Sequence, residues 1–405
     1  MIAPKLRFSE FKDEWIESKI GENFNVTSGT TPLRSEQSYF ANPSIYWVKT
    51  TDLNNGIIKS TEEKISKIAL AKTSLKILPK NTVFVAMYGG FNQIGRTGIL
   101  SVEATCNQAL SAIYPNENFN PYFVLTYLNH KVDDWKNFAA SSRKDPNITK
   151  NDVLSFPIIY PTLTEQTKIA EFLSTVDDKI SQLSRQLALL NQYKKGVMQR
   201  IFSQEIRFKN DNGEDFGEWE EVPLNQIASK VTVKNRGNKV TEVLTNSATQ
   251  GIIKQSDFFD REIVSESNIN GYYVVEVDDF VYNPRISVHA PVGPIKRNKI
   301  TQGIMSPLYT VFRFKEGNLD FLSYFFGTNF WHDYVKSVAN SGARHDRMNI
   351  TNSDFLEMPI LLPTIQEQEK IAEFLGAIDK RIDHTTAQLT HTKQWKKVLL
   401  QQMFV

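Results

Sequence analysis

Two sets of polar side chains lie in turn-rich stretches and carry the donors and acceptors that meet base edges and phosphates. The first set is Lys49, Thr50 and Thr51, then Tyr88, Asn92, Gln93 and Arg96 around the Gly89-Gly90 pair. The second is Asn246, Ser247 and Gln250, then Asn283, Arg285, Ser287 and His289. Amide and guanidinium groups match paired positions on base edges, hydroxyls take either role, and cations meet phosphate oxygens. A polar and basic run closes each set: Ser142, Arg143 and Lys144 in the first, Arg344, His345 and Arg347 in the second. Taken singly, each stretch is an ordinary polar loop. Their weight comes from falling at similar places in the two halves of the chain.

Catalytic patterns were sought and none holds. The chain has no GxxxxGK[ST] phosphate loop and no GxGxxG after a strand. Its six histidines form no HExxH or other close ligand set, and Cys106, the single cysteine, excludes an internal disulfide and a cysteine-built zinc site. Asn120-Pro121-Tyr122-Phe123 lacks the second proline of the Asn-Pro-Pro-Tyr box of amino-methyltransferases and reads as a helix start. Glu62, Glu63 and Lys64 read as a solvated turn. The expectation is a chain with no catalytic residue, no metal and no cofactor of its own.

Composition narrows the class further. At 405 residues with 40% apolar content the chain can bury sizeable cores in two or three domains. With 47 basic against 45 acidic residues its net charge is +2, so nucleic-acid contact has to come from local patches and not from a whole-protein field. The first residues are charged, with no apolar run of signal-peptide length, and no stretch approaches the ~20 apolar residues of a membrane span. The expected location is the cytoplasm.

The elements that must position these side chains come from an internal repeat. PTLTEQTKIAEFL, from Pro161, returns as PTIQEQEKIAEFL, from Pro363, with Ile371 standing 202 positions after Ile169. Each copy opens with a capping-box pattern, Thr162 with Glu165 and Thr364 with Glu367, and no proline follows within it. Apolar residues then step by four and three: Ile169, Leu173, Val176, Ile180, Leu183, Leu187, Leu190, Val197 and Ile201. The second copy reads Ile371, Leu375, Ile378, Ile382, Thr385, Leu389, Thr392, Leu399 and Met403, and a lysine interrupts each seam, Lys194 and Lys396. The spacing predicts two long helices with coiled-coil seams, each a rod of about 60 Å. Partner contacts are expected on the faces outside the seam, at Gln166, Lys168, Glu171 and Phe172 and at Gln368, Lys370, Glu373 and Phe374. The two phenylalanines are equally able to widen the seam.

Between the helices lie two globular units that start and end alike. Leu6-Arg7-Phe8 with Trp15 reappears as Ile206-Arg207-Phe208 with Trp219, and Asn147-Ile148-Thr149 as Asn349-Ile350-Thr351. Short β-rich runs such as Tyr46 to Thr50 and Pro307 to Phe314 precede helical stretches from Asn120 and from Leu319. The reading is α+β: a first domain over 1–161, a long helix over 162–205, a second domain over 206–363 and a second long helix over 364–405.

This arrangement resembles the specificity subunit of type I restriction-modification systems. The residues that carry the likeness are the two KIAEFL segments, Lys168 to Leu173 and Lys370 to Leu375, and the entries at Pro157 and Pro161 and at Pro359 and Pro363. The resemblance spans essentially the whole chain. It implies two target recognition domains, each reading one half of a split double-stranded DNA site, and two helices in an antiparallel coiled coil that sets the spacer. It further implies docking of two methyltransferase subunits and, through them, restriction and translocase subunits, which would bind the methyl donor and ATP. The subunit itself would be non-catalytic. The competing class is a coiled-coil scaffold whose globules bind proteins, and DNA shift assays with candidate partners separate the two.

Overall fold

The computed structural model describes the chain except for residues 1, 91, 140–146, 258–265 and 341–345. Two compact units emerge: Met1–Arg185 with Thr386–Val405, and Gln186–Thr385. No helix among the described residues is long and apolar enough to cross a membrane.

The strands of the first unit are β1 (Ile16–Lys19), β2 (Val26–Ser28), β3 (Ile45–Val48), β4 (Gly56–Ile58), β5 (Lys64–Ile65), β6 (Val83–Ala86), β7 (Thr97–Leu100), β8 (Thr105–Cys106), β9 (Leu110–Ile113) and β10 (Pro157–Tyr160). The main sheet runs β2-β9-β6-β7-β4, with β3 between β5 and β8 in a second sheet and β1 paired to β10. Alternate residues of β6 serve two cores. Val83 and Val85 join Ile99, Ile113 and Phe123 on one face, while Phe84 and Ala86 join Leu100, Leu110 and Ala112 on the other. A strand covered on both faces reads as an unbroken apolar run, as the segment at Thr82 to Tyr88 does.

The second unit repeats this plan with β11 (Glu220–Pro223), β12 (Ala228–Lys230), β13 (Leu244–Ser247), β14 (Gly251–Lys254), β15 (Tyr273–Val275), β16 (Phe280–Tyr282), β17 (Ile295–Arg297), β18 (Gly303–Met305), β19 (Thr310–Phe314) and β20 (Pro359–Leu362). Its sheet order, β12-β19-β16-β17, matches β2-β9-β6-β7, and β11 pairs with β20 as β1 does with β10. Phe280 and Phe312 face one core, Val281 and Val311 the other. The repeat therefore extends to the sheets, where the sequences differ freely.

Both long helices form, over Leu163–Phe202 and Ile365–Met403. The helical stretches expected from Asn120 and Leu319 each break in two, into Pro121–His130 and Val132–Ala139 and into Leu319–Phe325 and His332–Val338. Asn120 caps its helix, its Oδ1 accepting from the Tyr122 and Phe123 amides. In the first unit Ile169, Leu173 and Val176 of the first long helix share a core with Leu399 and Met403 of the second. In the second unit Val197 and Ile201 share one with Ile371, Leu375 and Ile378.

The lysines that interrupt the seams are partnered. Lys396 Nζ donates to Asp177 Oδ1 at 2.5 Å, and Tyr122 Oη donates to Asp177 Oδ2 at 2.7 Å. In the second unit Lys194 Nζ meets Asp379 Oδ1 at 2.5 Å and Tyr324 Oη meets Oδ2 at 2.7 Å. Burial, then the hydrogen bond to the carboxylate, holds both phenols protonated well above their usual range. A charged group within a seam costs stability unless its partner is fixed, and such a pair then specifies register.

The capping-box expectation holds for Thr364, whose Oγ1 accepts from the Glu367 amide at 3.4 Å, but is corrected for the carboxylates of Glu165 and Glu367. Both carboxylates are buried and grip an arginine from the start of their own unit. Arg7 Nε and Nη2 each lie 2.7 Å from Glu165, and Arg207 Nε and Nη2 lie 2.8 and 2.9 Å from Glu367. Trp219 Nε1 adds a third donor to Glu367 at 3.1 Å. A carboxylate desolvated to this degree is tolerable only with such donors, so it is not available to reach back to the helix N-terminus.

Two predictions follow from these contacts. Glu165→Gln and Glu367→Gln each leave an arginine without its counter-charge and are expected to destabilise their unit by about 3 kcal/mol, read as a lowered urea midpoint; a loss near zero in both would refute the role. Asp177→Ala and Lys396→Ala should be non-additive by about 1 to 2 kcal/mol in a double-mutant cycle, and simple additivity would show that the seam lysine does not depend on Asp177.

Candidate nucleic-acid interface

The hairpin turns that join β6 to β7 and β16 to β17, residues 87–96 and 283–294, occupy equivalent places on the equivalent sheets of the two units. In the first unit Gly89 and Gly90 adopt positive φ of 116° and 78°, a region that favours glycine. Backbone bonds from Ile94 to Gly90 at 3.1 Å and from Arg96 to Gln93 at 3.0 Å close the turn, and Ile148 N pins it by donating to Met87 O at 3.0 Å. Tyr88 and Asn92 project outward. Among the described residues Gln93 Oε1 is buried without a hydrogen-bond partner, and the Arg96 side chain has neither ion pair nor hydrogen bond. A guanidinium left uncommitted on a turn is free to take an outside acceptor.

The Lys49 group is placed differently from the expectation. Lys49 Nζ lies 2.6 Å from Glu63 and 3.1 Å from Glu62, and Arg34 Nη1 lies 2.7 Å from Glu63. Arg34, then Lys49, hold the Glu63 carboxyl down at about 2. Lys49 is thus an internal brace and not a free cation, and its amide is tied to Asp52 Oδ2 at 2.8 Å, with Thr50–Asp52 forming a single turn. Thr51 is exposed. Bonds from Asn107 N to Val48 O and from Met87 N to Ala109 O set this group and the 87–96 turn on either side of residues 107–109.

In the second unit Asn246 is corrected from a base reader to a brace. It is buried, and its Nδ2 donates to Val281 O at 2.7 Å and Pro294 O at 3.2 Å. Asn283 Nδ2 donates in turn to Asn246 O at 3.0 Å, and Gly293 closes the loop so tightly that a Cβ would sit 2.0 Å from Asn283 O. This bracing presents Arg285, Ser287 and His289 to solvent, while Gln250 lies exposed on the β13–β14 turn, where Ser247 Oγ accepts from its amide at 3.3 Å. Arg347 comes alongside through the Arg285 to Arg347 bridge, and Asp346 stands 3.9 and 3.8 Å from their guanidiniums. Ser142, Arg143, Lys144, Arg344 and His345 lie outside the described residues.

Two features escaped the sequence reading. Val288 is 95% exposed at the tip of the 283–294 loop, an apolar group of the kind that contacts a thymine methyl. Beside Arg347 opens a cleft of about 450 Å³ that includes Lys230, Tyr273, Tyr309 and Asn349, with Lys234 Nζ 3.4 Å from the Tyr273 ring centre. A lone valine in a polar loop was a readable signal for the first. Nothing in spacing marks the second.

On the long helices, Gln166 and Gln368 are corrected from surface contacts to buried ties. Gln166 bridges Asn120 N at 3.0 Å and Pro161 O at 2.9 Å, and Gln368 bridges Asn318 N at 2.8 Å and Pro363 O at 2.9 Å. Lys168 pairs with Glu10, and Lys370 with Asp211 at 2.6 Å. Phe172 packs edge-on to Phe8 and Trp395, and Phe374 to Phe208, whereas Glu171 and Glu373 are exposed. Tyr193 and Trp395, 53% and 45% exposed, are further aromatic groups on these helices at matching positions of the repeat.

Among the described residues no group of three or more histidine, cysteine or acidic side chains is placed to hold a metal. Cys106 is buried and its thiol is pushed up to about 12 by desolvation.

Comparison with known proteins agrees with the duplicated plan. The type I restriction modification DNA specificity domain matches residues 12–192 and again 217–392. A type I restriction enzyme specificity subunit of Escherichia coli is 25% identical over 184 residues, 45% of each chain. The MjaVIII specificity subunit of Methanocaldococcus jannaschii is 25% identical over 415 aligned residues, 96% of this chain and 91% of its own. The crystal structure of the type I restriction-modification system S subunit from M. genitalium superposes with a TM-score of 0.60 at 13% identity, covering 100% of this chain and 99% of that one, and so shares the fold. With two copies of the domain accounting for most of its length, the chain belongs to the type I restriction-modification DNA specificity family.

Proposed function

We propose that this chain is a specificity subunit that recognises a bipartite, asymmetric double-stranded DNA site, one half through each unit. The observation that carries this reading is the pair of turns, 87–96 and 283–294, which occupy equivalent positions on equivalent sheets yet expose different side chains. A repeated scaffold with divergent tips is what reading two different half-sites requires. Arg96, Gln93, Asn92 and Tyr88 serve the first half, and Arg285, Ser287, Val288, His289 and Arg347 the second. The two long helices form an antiparallel coiled coil that fixes the distance between half-sites, and a rod of about 60 Å is long enough to hold readers roughly 34 Å apart, one turn of B-DNA. Two methyltransferase subunits dock on the helices, and restriction and translocase subunits join through the assembled complex. The methyl donor and ATP belong to those partners. This chain performs recognition in the cytoplasm without catalysis.

Modification-sensitive sequencing of a host with and without the gene tests the reading. The expected result is loss of methylation at one two-part motif, and an unchanged methylome in a strain whose complex is otherwise active refutes it. Within a reconstituted complex, Arg96→Ala should weaken binding by about 1 to 3 kcal/mol and relax preference at one base of one half-site. Unaltered affinity and preference would remove Arg96 from the reading set.

A further inference from the structure

The second unit contains a cationic cleft that the recognition loops do not explain. Its volume is about 650 Å³, and its walls bring Lys194 and Lys195 of the first long helix together with His289 of the 283–294 loop, Lys296 of β17 and Thr328 and His332 of the helical hairpin. No aspartate or glutamate lines it. Lys194 is neutralised by Asp379, but among the described residues Lys195 and Lys296 have no carboxylate or other hydrogen-bonding partner. Lys296 is half-buried, and its amine is drawn below the usual lysine range first by burial and then by the Lys194 charge. Burial likewise lowers His332, which favours its neutral form. A half-buried amine on a cavity lined by no carboxylate, with the exposed Lys195 on the same wall, costs the fold electrostatic energy that an anion would return.

The first unit has a cleft of about 800 Å³ in the corresponding place, with Lys396, Lys393 and Tyr122 at the repeat positions of Lys194, Asn191 and Tyr324. It is lined by Glu171, Asp177 and Asp178 as well. The hollow is therefore common to both units, and the cationic character is particular to the second.

We propose that the cleft walled by Lys195 and Lys296 holds a backbone phosphate of DNA beside the half-site read by the second unit. This rests on the DNA-reading function argued above. A phosphodiester is favoured over a detached anion because the cleft is continuous with the reading loops: His289, Gly293 and Pro294 line it and belong to the 283–294 loop, and Ala248 lies on the turn that carries Ser247 and Gln250. A duplex that meets His289 at a base edge carries its phosphates past this wall. The two ammonium groups supply donors for the non-bridging oxygens, while the Thr328 hydroxyl in the same wall is committed to Phe325 O at 2.6 Å. Such a contact positions the duplex and carries no sequence information.

The test is the salt dependence of cognate-duplex binding by the reconstituted complex. Lys296→Gln and Lys195→Gln are each expected to make the slope of log affinity against log salt shallower by about one, with equal losses across duplexes that differ at single bases. Lys296→Arg should retain the slope, and Lys393→Gln in the first unit should leave it unchanged. Unaltered urea midpoints exclude misfolding as the cause. A wild-type slope in both glutamine variants overturns the proposal, as does a loss confined to one base, which would make the lysine a reader. Reduced co-purification of methyltransferase with an unchanged slope also overturns it, by assigning the cleft to an acidic protein surface. If the wild-type complex has no preferred duplex, the recognition function itself fails, and that outcome is separate from all of these.

Discussion

The buried arginine–glutamate fork at the start of each long helix is the contact on which each unit depends. Glu165 and Glu367 are 1% and 0% exposed, and a carboxylate so far from water needs a donor at each oxygen. The guanidinium is the one side chain that supplies both in a single plane, which is why an arginine and not a lysine stands at 7 and at 207. Gln166 and Gln368, one residue on, tie the helix to the caps at Asn120 and Asn318. Fork and amide together fix the rotation of the helix about its axis against its own globule. The Tyr122–Asp177–Lys396 and Tyr324–Asp379–Lys194 clusters, farther along the helices, then fix the axial position.

These contacts explain why the two copies agree in some stretches and diverge in others. Glu165, Gln166, Asp177 and their counterparts each touch partners whose identity admits no substitute, so the duplicated segments read alike. The sheet interiors need only apolar volume, and Val83, Phe84, Val85 and Ala86 answer to Phe280, Val281 and Tyr282 without sharing a pattern of size. The 87–96 and 283–294 turns are held mainly by backbone bonds, and Tyr88, Asn92, Arg285, Ser287, Val288 and His289 stand exposed on them. They are free to differ, which a recognition surface requires.

What was legible in the sequence follows the range of each interaction. The long helices over Leu163–Phe202 and Ile365–Met403 show through because helical packing writes itself into local periodicity. The strands at Tyr46 and Thr82 show through because two-sided burial demands an unbroken apolar run. By contrast, Glu165 read as a capping residue because Thr162 is three positions away, whereas its true partner, Arg7, is 158 positions distant. Gln166, Asn246 and Lys49 were misplaced for the same reason. Each has the polarity of a surface residue and is engaged by backbone or carboxylates brought in by folding. Lys194 and Lys396 read as breaks because the acids that complete them lie on the other helix copy.

Charge pairing also bears on how a nearly neutral chain can bind a polyanion. Arg7, Arg34, Lys49, Arg207, Arg297 and Arg313 are all committed to acidic partners inside their own units, Arg313 to the fully buried Asp279. A net charge of +2 therefore says little of the local picture, because pairing commits some cations inside their units and leaves others uncommitted at defined places. Arg96 on the first turn and Lys195 and Lys296 in the second cleft are such groups. Phosphate contact, and the non-specific attraction that scales with the number of phosphates neutralised, depends on where uncommitted cations lie and not on net charge. The internal ion pairs thus bear on charge placement as well as stability, since they decide which cations of each unit are committed and which are not.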